Sequence, residues 1–533
     1  MNLLELAHPE LALLAVVAIL AIVATAAQKS KLPYPIYLLL VGVGIGFIPG
    51  VPQVKVEPDL IFLVFLPPLV YAAGYFTSLR ELRRNIRSVS LLAIGLVAAT
   101  MVTVALVAHA LVPGMPWAVA FVLGAIVSPT DTVAAAAVLD RLNVPRRIRH
   151  ITEGESLLND GTGLVLFSVA VGVVVSGDFS AGDAAITFAL NIVGGLAVGV
   201  GVGYVYAALR RYNTHGPTDV LLSVLAGYSA YMPAEALHVS GVLATAACAI
   251  WLGWRTPQIV RDPETRIQIN AVWVNATYAI NTILFLLIGL QLPRTLDQLG
   301  AGSTRFWVDA VVIGLVVIAT RLIWVFPATW VPRRLSKRIR DEEEMPPWRN
   351  VFLVGWIGMR GSVTLAAALA IPLTVDSGAD FPLRDLVIFF AFGTILMTLV
   401  VQGLTLPKVI AVLKPVHDND FFERAEAYAR LKAAQAAIAA LDEVVGEDWA
   451  RDDTVERMRG MYEYRMRRQG ARLDDEVDSS GYEERTRDYK RLVAIAHQAE
   501  REVLYTLRNS HTISDEVVDA INRDLDYEDV RLS

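Results

Sequence analysis

Hydrophobic residues in this chain gather in long runs, not in the period-two alternation of strands or the narrow stripes of surface helices. A helix needs ~20 mostly apolar residues to cross ~30 Å of hydrocarbon. Runs that meet or approach that length lie at 11–27, 32–49, 58–76, 88–112, 116–139, 151–176, 183–209, 218–236, 239–254, 272–292, 306–330, 350–373 and 383–406. The pattern predicts an all-α polytopic membrane protein with about 13 spanning helices. Pro233, Glu235 and His238 interrupt the pair 218–236 and 239–254, where a turn or a disturbed helix is expected. The first run follows MNLLELAHPE, which has two glutamates and no Lys or Arg. A signal peptide needs a basic leader, so this run reads as a spanning helix.

Past Lys414 the pattern changes. Stretches 423–445 and 483–508 alternate apolar and charged residues at helical spacing, which predicts amphipathic helices. The organisation expected is a transmembrane domain over 1–413 and a helical cytoplasmic tail over 414–533, packing on itself or on a second copy.

Composition agrees with a bilayer setting: of 533 residues, 54% are hydrophobic and only 19% charged, with a mean hydropathy of +0.48. The net charge of -6 averages over segregated regions, and nothing points to nucleic acid. The single cysteine, Cys248, lies in an apolar run, which rules out an intrachain disulfide and argues against a thiolate-metal or redox site. No GxxxxGK[ST] fingerprint is present, which argues against an ATP-driven pump. No enzymatic activity and no cofactor are expected.

Loop charge gives the topology. Basic residues gather in alternate connections: Lys29 and Lys31; Arg80 to Arg87; Arg141 to Arg149; Arg210 and Arg211; Arg255, Arg261 and Arg266; Arg333 to Arg340. The intervening connections hold only Lys55, Arg294 and Arg305. The positive-inside rule then puts the N-terminus outside and the C-terminus in the cytoplasm of a multi-pass plasma-membrane protein.

Against this apolar background, acids inside a span stand out, because a carboxylate at the bilayer centre costs ~2.5–3.5 kcal/mol on insertion scales. Asp131 lies in GAIVSPTDTVAA, and Glu155 and Asp160 in TEGESLLNDGTGLVLF. Ser156 and Asp160 are four residues apart and share a helix face, with Asn159 adjacent. Oxygen ligands of this kind suit hard cations. For Ser156 or Asn159 alone, a hydrogen bond tying helices together is an equal alternative. Pro129 should break its helix near 128–131 and free carbonyls that could bind a cation. A second interruption is expected in WIGMRGSVTLAAALAIP, around Gly358, Arg360 and Gly361. The two broken helices are seven spans apart and so cross in opposite directions, as in an inverted repeat pairing spans one to six with eight to thirteen. Arg360 needs a partner, and Glu155 is the expected one, a structural pair that leaves Asp160 free to titrate. Arg321, in VIATRLIWVF, has no nameable partner and could snorkel to an interface.

At these residues the chain resembles the monovalent cation:proton antiporter family of bacterial and animal sodium/proton exchangers. The resemblance covers about 10–410 through FLPPLVYAAGYF, SPTDTVAA, GESLLNDGTGLVLF, SGVLATAACAIWLG, FLLIGLQLP and GMRGSVTLA, the Asn159-Asp160 block being the most specific. It implies thirteen spans, a homodimer and a six-helix core moving against a dimerisation domain. It also implies that Asp160 binds the ion and the proton, that Ser156 and the Thr130 region supply further Na+ ligands, that Asp131 acts nearby through water, and that Glu155 and Arg360 form the stabilising pair. Many relatives have an acid in the LPP block where this chain has Ala72 and its neighbours. The function expected is Na+/H+ exchange serving pH and sodium homeostasis. One titrating carboxylate beside neutral Asn159 predicts electroneutral one-for-one exchange. Potassium is the nearest alternative cation. A cation channel would need a continuous filter, and an intramembrane hydrolase built on Asp131 and Asp160 leaves Ser156, Asn159 and Pro129 unexplained.

Overall fold

The computed structural model describes the chain apart from 1–22, 49–60, 300–303, 475–479 and the single positions 24, 27, 28, 30, 31, 140, 141, 143, 179, 214, 344, 417, 418 and 533. Most of the predicted first span therefore lies outside the described residues. Among the described residues the chain is helical and forms no β-strand beyond an isolated bridge between Thr374 and Asp380.

The membrane runs fold as α1 (Tyr34–Gly46), α2 (Leu66–Phe76), α3 (Ile86–Leu111), α4 (Trp117–Val127), α5 (Thr132–Leu139), α6 (Arg146–Ser176), α7 (Ala181–Tyr212) and α8 (Gly216–Ala236). They continue as α9 (Gly241–Ile259), α10 (Pro263–Leu299), α11 (Thr304–Leu335), α12 (Trp348–Trp356), α13 (Ser362–Leu369) and α14 (Arg384–Leu413). Six of these, α3, α6, α7, α10, α11 and α14, hold stretches long and apolar enough to cross a bilayer. The turn expected between 218–236 and 239–254 is present: α8 ends at Ala236, His238 takes a left-handed φ of 56°, and Ser240 caps α9 through the Leu243 amide. Within the most apolar window of each helix, 78% of α14 is buried against 11% of α7, so α14 is central and α7 peripheral.

Both predicted interruptions are present. The run 116–139 splits into α4 and α5 around 128–131, and the run 350–373 into α12 and α13 around 357–361. The first break follows from Pro129, which has no N–H to donate, and from the Ser128 hydroxyl, which turns back to the Ala125 carbonyl at 2.9 Å. The second follows from glycine. A Cβ on Gly361 would lie 1.7 Å from Asp131 Oδ2, so only glycine permits the two breaks to meet at this point. The Pro129 ring sits over Gly163 of α6, where a Cβ would come within 2.3 Å of Pro129 Cγ. That contact seats the first break against the helix that carries Glu155, Ser156, Asn159 and Asp160.

Chain contacts divide the protein into Met1–His417 and Asp418–Ser533. The second unit consists of α15 (Asn419–Glu443), α16 (Asp452–Leu473), α17 (Ser480–Asn509) and α18 (Asp515–Leu532), so both amphipathic stretches seen in the sequence are helices. An Arg459–Asp442 ion pair ties α15 to α16, and His497 and Arg501 of α17 reach acids of α18.

Candidate functional site

Breaking a helix inside a membrane strands backbone groups that water cannot satisfy. At the crossing of the two breaks, ionised side chains and backbone partners fill that need. The amide of Asp131 donates to the Met359 carbonyl at 2.8 Å, joining the two breaks directly. The Asp131 carboxylate accepts from the Ala134 amide at 3.4 Å and from the Ser362 amide at 3.2 Å. One anion thus caps the amide ends of both α5 and α13, where a negative charge is favoured.

The carbonyl ends carry the opposite charge. Arg360 is buried and donates through Nε to Val127 O at 2.9 Å, through Nη2 to Ser128 O at 3.3 Å, and to the Gly358 carbonyl. Its own amide donates to the Thr398 hydroxyl of α14 at 3.1 Å. Arg321 of α11, also buried, donates to Val354 O at the end of α12 at 3.1 Å. Its guanidinium grips both oxygens of Glu155, one of them at 2.8 Å.

This geometry corrects the pairing expected from sequence. Glu155 pairs with Arg321, not with Arg360, and Arg321 is not a snorkelling residue, because its side chain is 0% exposed. The physical reason lies in the first break: the Asp131 amide, which a continuous helix would have directed at the Val127 carbonyl, donates to Met359 instead, and Arg360 is drawn to the carbonyls left open at Val127 and Ser128. Of the carbonyls at this break, those of Val127 and Ser128 accept from the guanidinium, whereas that of Thr130 accepts from Ser156 Oγ.

The remaining polar groups form a chain on α6. Ser156 Oγ donates to the Thr130 carbonyl at 2.9 Å, Asn159 Nδ2 to the Thr130 hydroxyl at 2.8 Å, and that hydroxyl to Glu155 Oε1 at 3.2 Å. Thr130, Ser156 and Asn159 are therefore brought together as the sequence suggested, with Asp131 at the neighbouring cap, and Glu155 joins them through the Thr130 hydroxyl. The carboxylate oxygen Oδ1 of Asp160 stands outside this chain. It is buried and has no hydrogen-bond partner, as is the case for Asn159 Oδ1.

The charges then sum simply: Asp131 and Glu155 are offset by Arg321 and Arg360, and Asp160 is left over. On the face of α6 that continues from Asp160, Leu164 and Ser168 line a cavity of about 340 Å³ together with Asn191, Glu235 and His238. Sequence reasoning missed the anchoring role of Thr398, the double cap by Asp131 and the pairing of Arg321. The need for that pairing could have been read from position, since Arg321 sits as deep in its run as Arg360 does and needs an acid as much.

Residues 14–412 match the model of the family described as sodium/hydrogen exchanger, transmembrane. An uncharacterised Na+/H+ exchanger of Mycobacterium tuberculosis is 36% identical over 527 residues, covering 98% of this chain and 95% of the relative. A sodium, potassium, lithium and rubidium/H+ antiporter of Bacillus pumilus is 32% identical over 82% of this chain and 66% of its own length. The solved structure of the sodium proton antiporter MjNhaP1 from Methanocaldococcus jannaschii has a TM-score of 0.58 at 19% identity, covering 72% of this chain and 96% of that one, a likeness of fold. The family model spans most of the membrane unit and a relative aligns over almost the whole chain, so this multi-pass membrane protein belongs to the sodium/hydrogen exchanger family and exchanges a monovalent cation for protons.

Proposed function

We propose that the protein exchanges Na+ for H+ one for one by alternating access to Asp160, with Ser156 and the Thr130 carbonyl as further ligands, Asn159 beside them and Asp131 acting through water. The observation that carries this reading is the charge left over at the crossing: two anions are offset by two cations, of which Glu155 and Arg321 form a direct pair, and one carboxylate with an unpartnered oxygen remains. A single proton or a single monovalent cation neutralises it. Moving the empty, charged site through the membrane costs roughly the ~2.5–3.5 kcal/mol of a buried carboxylate, whereas either loaded form is neutral. That difference enforces exchange and suppresses leak of either ion alone.

The same accounting makes the cycle electroneutral. The protein sits in the plasma membrane as a homodimer, N-terminus outside and tail in the cytoplasm, and serves pH and sodium homeostasis. A broader cation range is the second reading, favoured by the Bacillus pumilus relative, which is named for four alkali cations. Dye-quenching exchange in everted vesicles with Na+, Li+ and K+ tests both readings. Asp160→Asn should abolish exchange of every cation while the protein still folds. Persistent exchange by that variant would refute the site, and steep voltage dependence in proteoliposomes would refute one-for-one stoichiometry.

A further inference from the structure

Where α7 and α9 end, on the side of the arginine-rich connections, lies a second cavity, of about 300 Å³. Arg211 and Arg255 line it, with the rings of Tyr204, Tyr212 and Trp251. Among the described residues neither arginine has a carboxylate partner. Arg255 donates to Gln258 Oε1 at 3.3 Å, and its guanidinium lies 5.4 Å from the Trp251 ring centroid and 4.8 Å from that of Trp254. The Trp251 indole N–H is buried with no hydrogen-bond partner. Two cations without a counter-ion and an orphaned donor in one cavity are a receptor for an anion with several acceptor oxygens.

The surface around the cavity identifies the source of that anion. The outer face of α7 presents Leu190, Val193, Val200, Val205 and Leu209 exposed, a continuous apolar wall leading to the cavity. Aromatic rings at the end of such a wall match the depth of the headgroup region. Basic pockets between spanning helices at the cytoplasmic leaflet take anionic headgroups. We propose that this cavity binds an anionic phospholipid, its phosphate held by Arg211 and Arg255 with the Trp251 N–H and its acyl chains lying along α7.

Native mass spectrometry of the full-length protein released from detergent tests this, with phosphatidylglycerol and phosphatidylcholine of identical acyl chains as competing probes. The wild type should retain phosphatidylglycerol in preference. Arg211→Gln and Arg255→Gln should each reduce that preference about fivefold, in keeping with the surface contribution of one basic residue. Arg261→Gln, in the same connection but outside the cavity lining, should leave it unchanged, and an unaltered elution profile reports folding of each variant. Equal retention of both lipids, or an equal effect of Arg261→Gln, would overturn the proposal. A third arm uses inorganic phosphate: displacement of phosphatidylglycerol at equimolar phosphate would identify a free-anion site and overturn the lipid assignment. Tryptophan fluorescence that shifts with phosphatidylglycerol and loses the shift in Trp251→Phe supplies a readout independent of transport.

Discussion

The two interrupted helices meet the same electrostatic problem with opposite means. The α4/α5 break is made by proline and carries an acid, and Asp131 caps amide ends on both sides of the crossing. The α12/α13 break is made by glycine and carries a base, and Arg360 takes up the carbonyl end of the other helix. Each break thus donates the charge that the other one lacks. The pair is self-compensating, which is why a further acid, Asp160, can stand beside it with its charge uncommitted.

The largest effect should come from forcing the breaks apart. In Gly361→Ala the new methyl collides with the Asp131 carboxylate, and displacements near 1 Å at a reacting centre cost about a hundredfold. Exchange in everted vesicles should fall on that scale, and activity close to wild type would show that the contact is dispensable. Next comes the ion pair. Glu155→Gln leaves Arg321 buried without its acid, which costs about 3–5 kcal/mol by the usual penalty for breaking a buried pair, read as a lower melting temperature of purified protein. Adding Arg321→Gln should recover part of the loss. Recovery by Arg360→Gln instead would restore the pairing first read from sequence.

A smaller effect is expected at Ser156. Ser156→Ala removes the hydroxyl held by the Thr130 carbonyl, and a lost buried hydrogen bond of roughly 1–3 kcal/mol should weaken apparent cation affinity about tenfold without changing which cations are carried. An unchanged KM would remove Ser156 from the ligand set. The smallest effect lies in the tail, where a buried His497 meets acids that are open to water. The hydrogen bond to Asp529, with Glu528 and Glu500 nearby, raises His497 above its ordinary value of 6.5. Its contribution to the α17–α18 contact is therefore complete below pH ~6.5 and fades as pH rises through the elevated value. Arg501 and then His497 hold Asp529 below the usual carboxylate range, so its contribution is lost only in acid. Hydrogen exchange of the intact protein should show α18 opening faster at pH 9 than at pH 6, a difference that His497→Gln removes.

Much of this was legible in the chain. Pro129 and the pair Gly358 and Gly361 announce both breaks, because each residue type limits the helix by its own covalent structure. The spacing of Ser156 and Asp160, and Asn159 beside them, announces the oxygen-rich face of α6. Pairing of charges was not legible, because Arg321 and Arg360 are equally apolar in their surroundings and the choice depends on which unsatisfied backbone each guanidinium meets. That is a tertiary fact, set by Pro129 seating on Gly163. The double cap by Asp131 was hidden for a similar reason: its neighbours in sequence are threonines, whereas its two amide partners lie at Ala134 and, across the crossing, at Ser362.

Glycine also decides which helices of the membrane unit are locked together. On α7, Gly195 and Gly199 press against the backbone of α9 at Ser240 and Ala244, and Gly42 of α1 presses against Leu286 and Gly289 of α10. Such seams have no side chains between the two backbones, so neither helix can shift by a residue without its main chains colliding. The seam between α6 and the helices α2, α8 and α9 is built differently, from Leu66, Val70, Leu157, Tyr231 and Val242. Rotamers there can exchange places. If Asp160 is carried across the membrane as proposed above, that greasy joint is where the movement meets least resistance, and the glycine-welded pairs hold still.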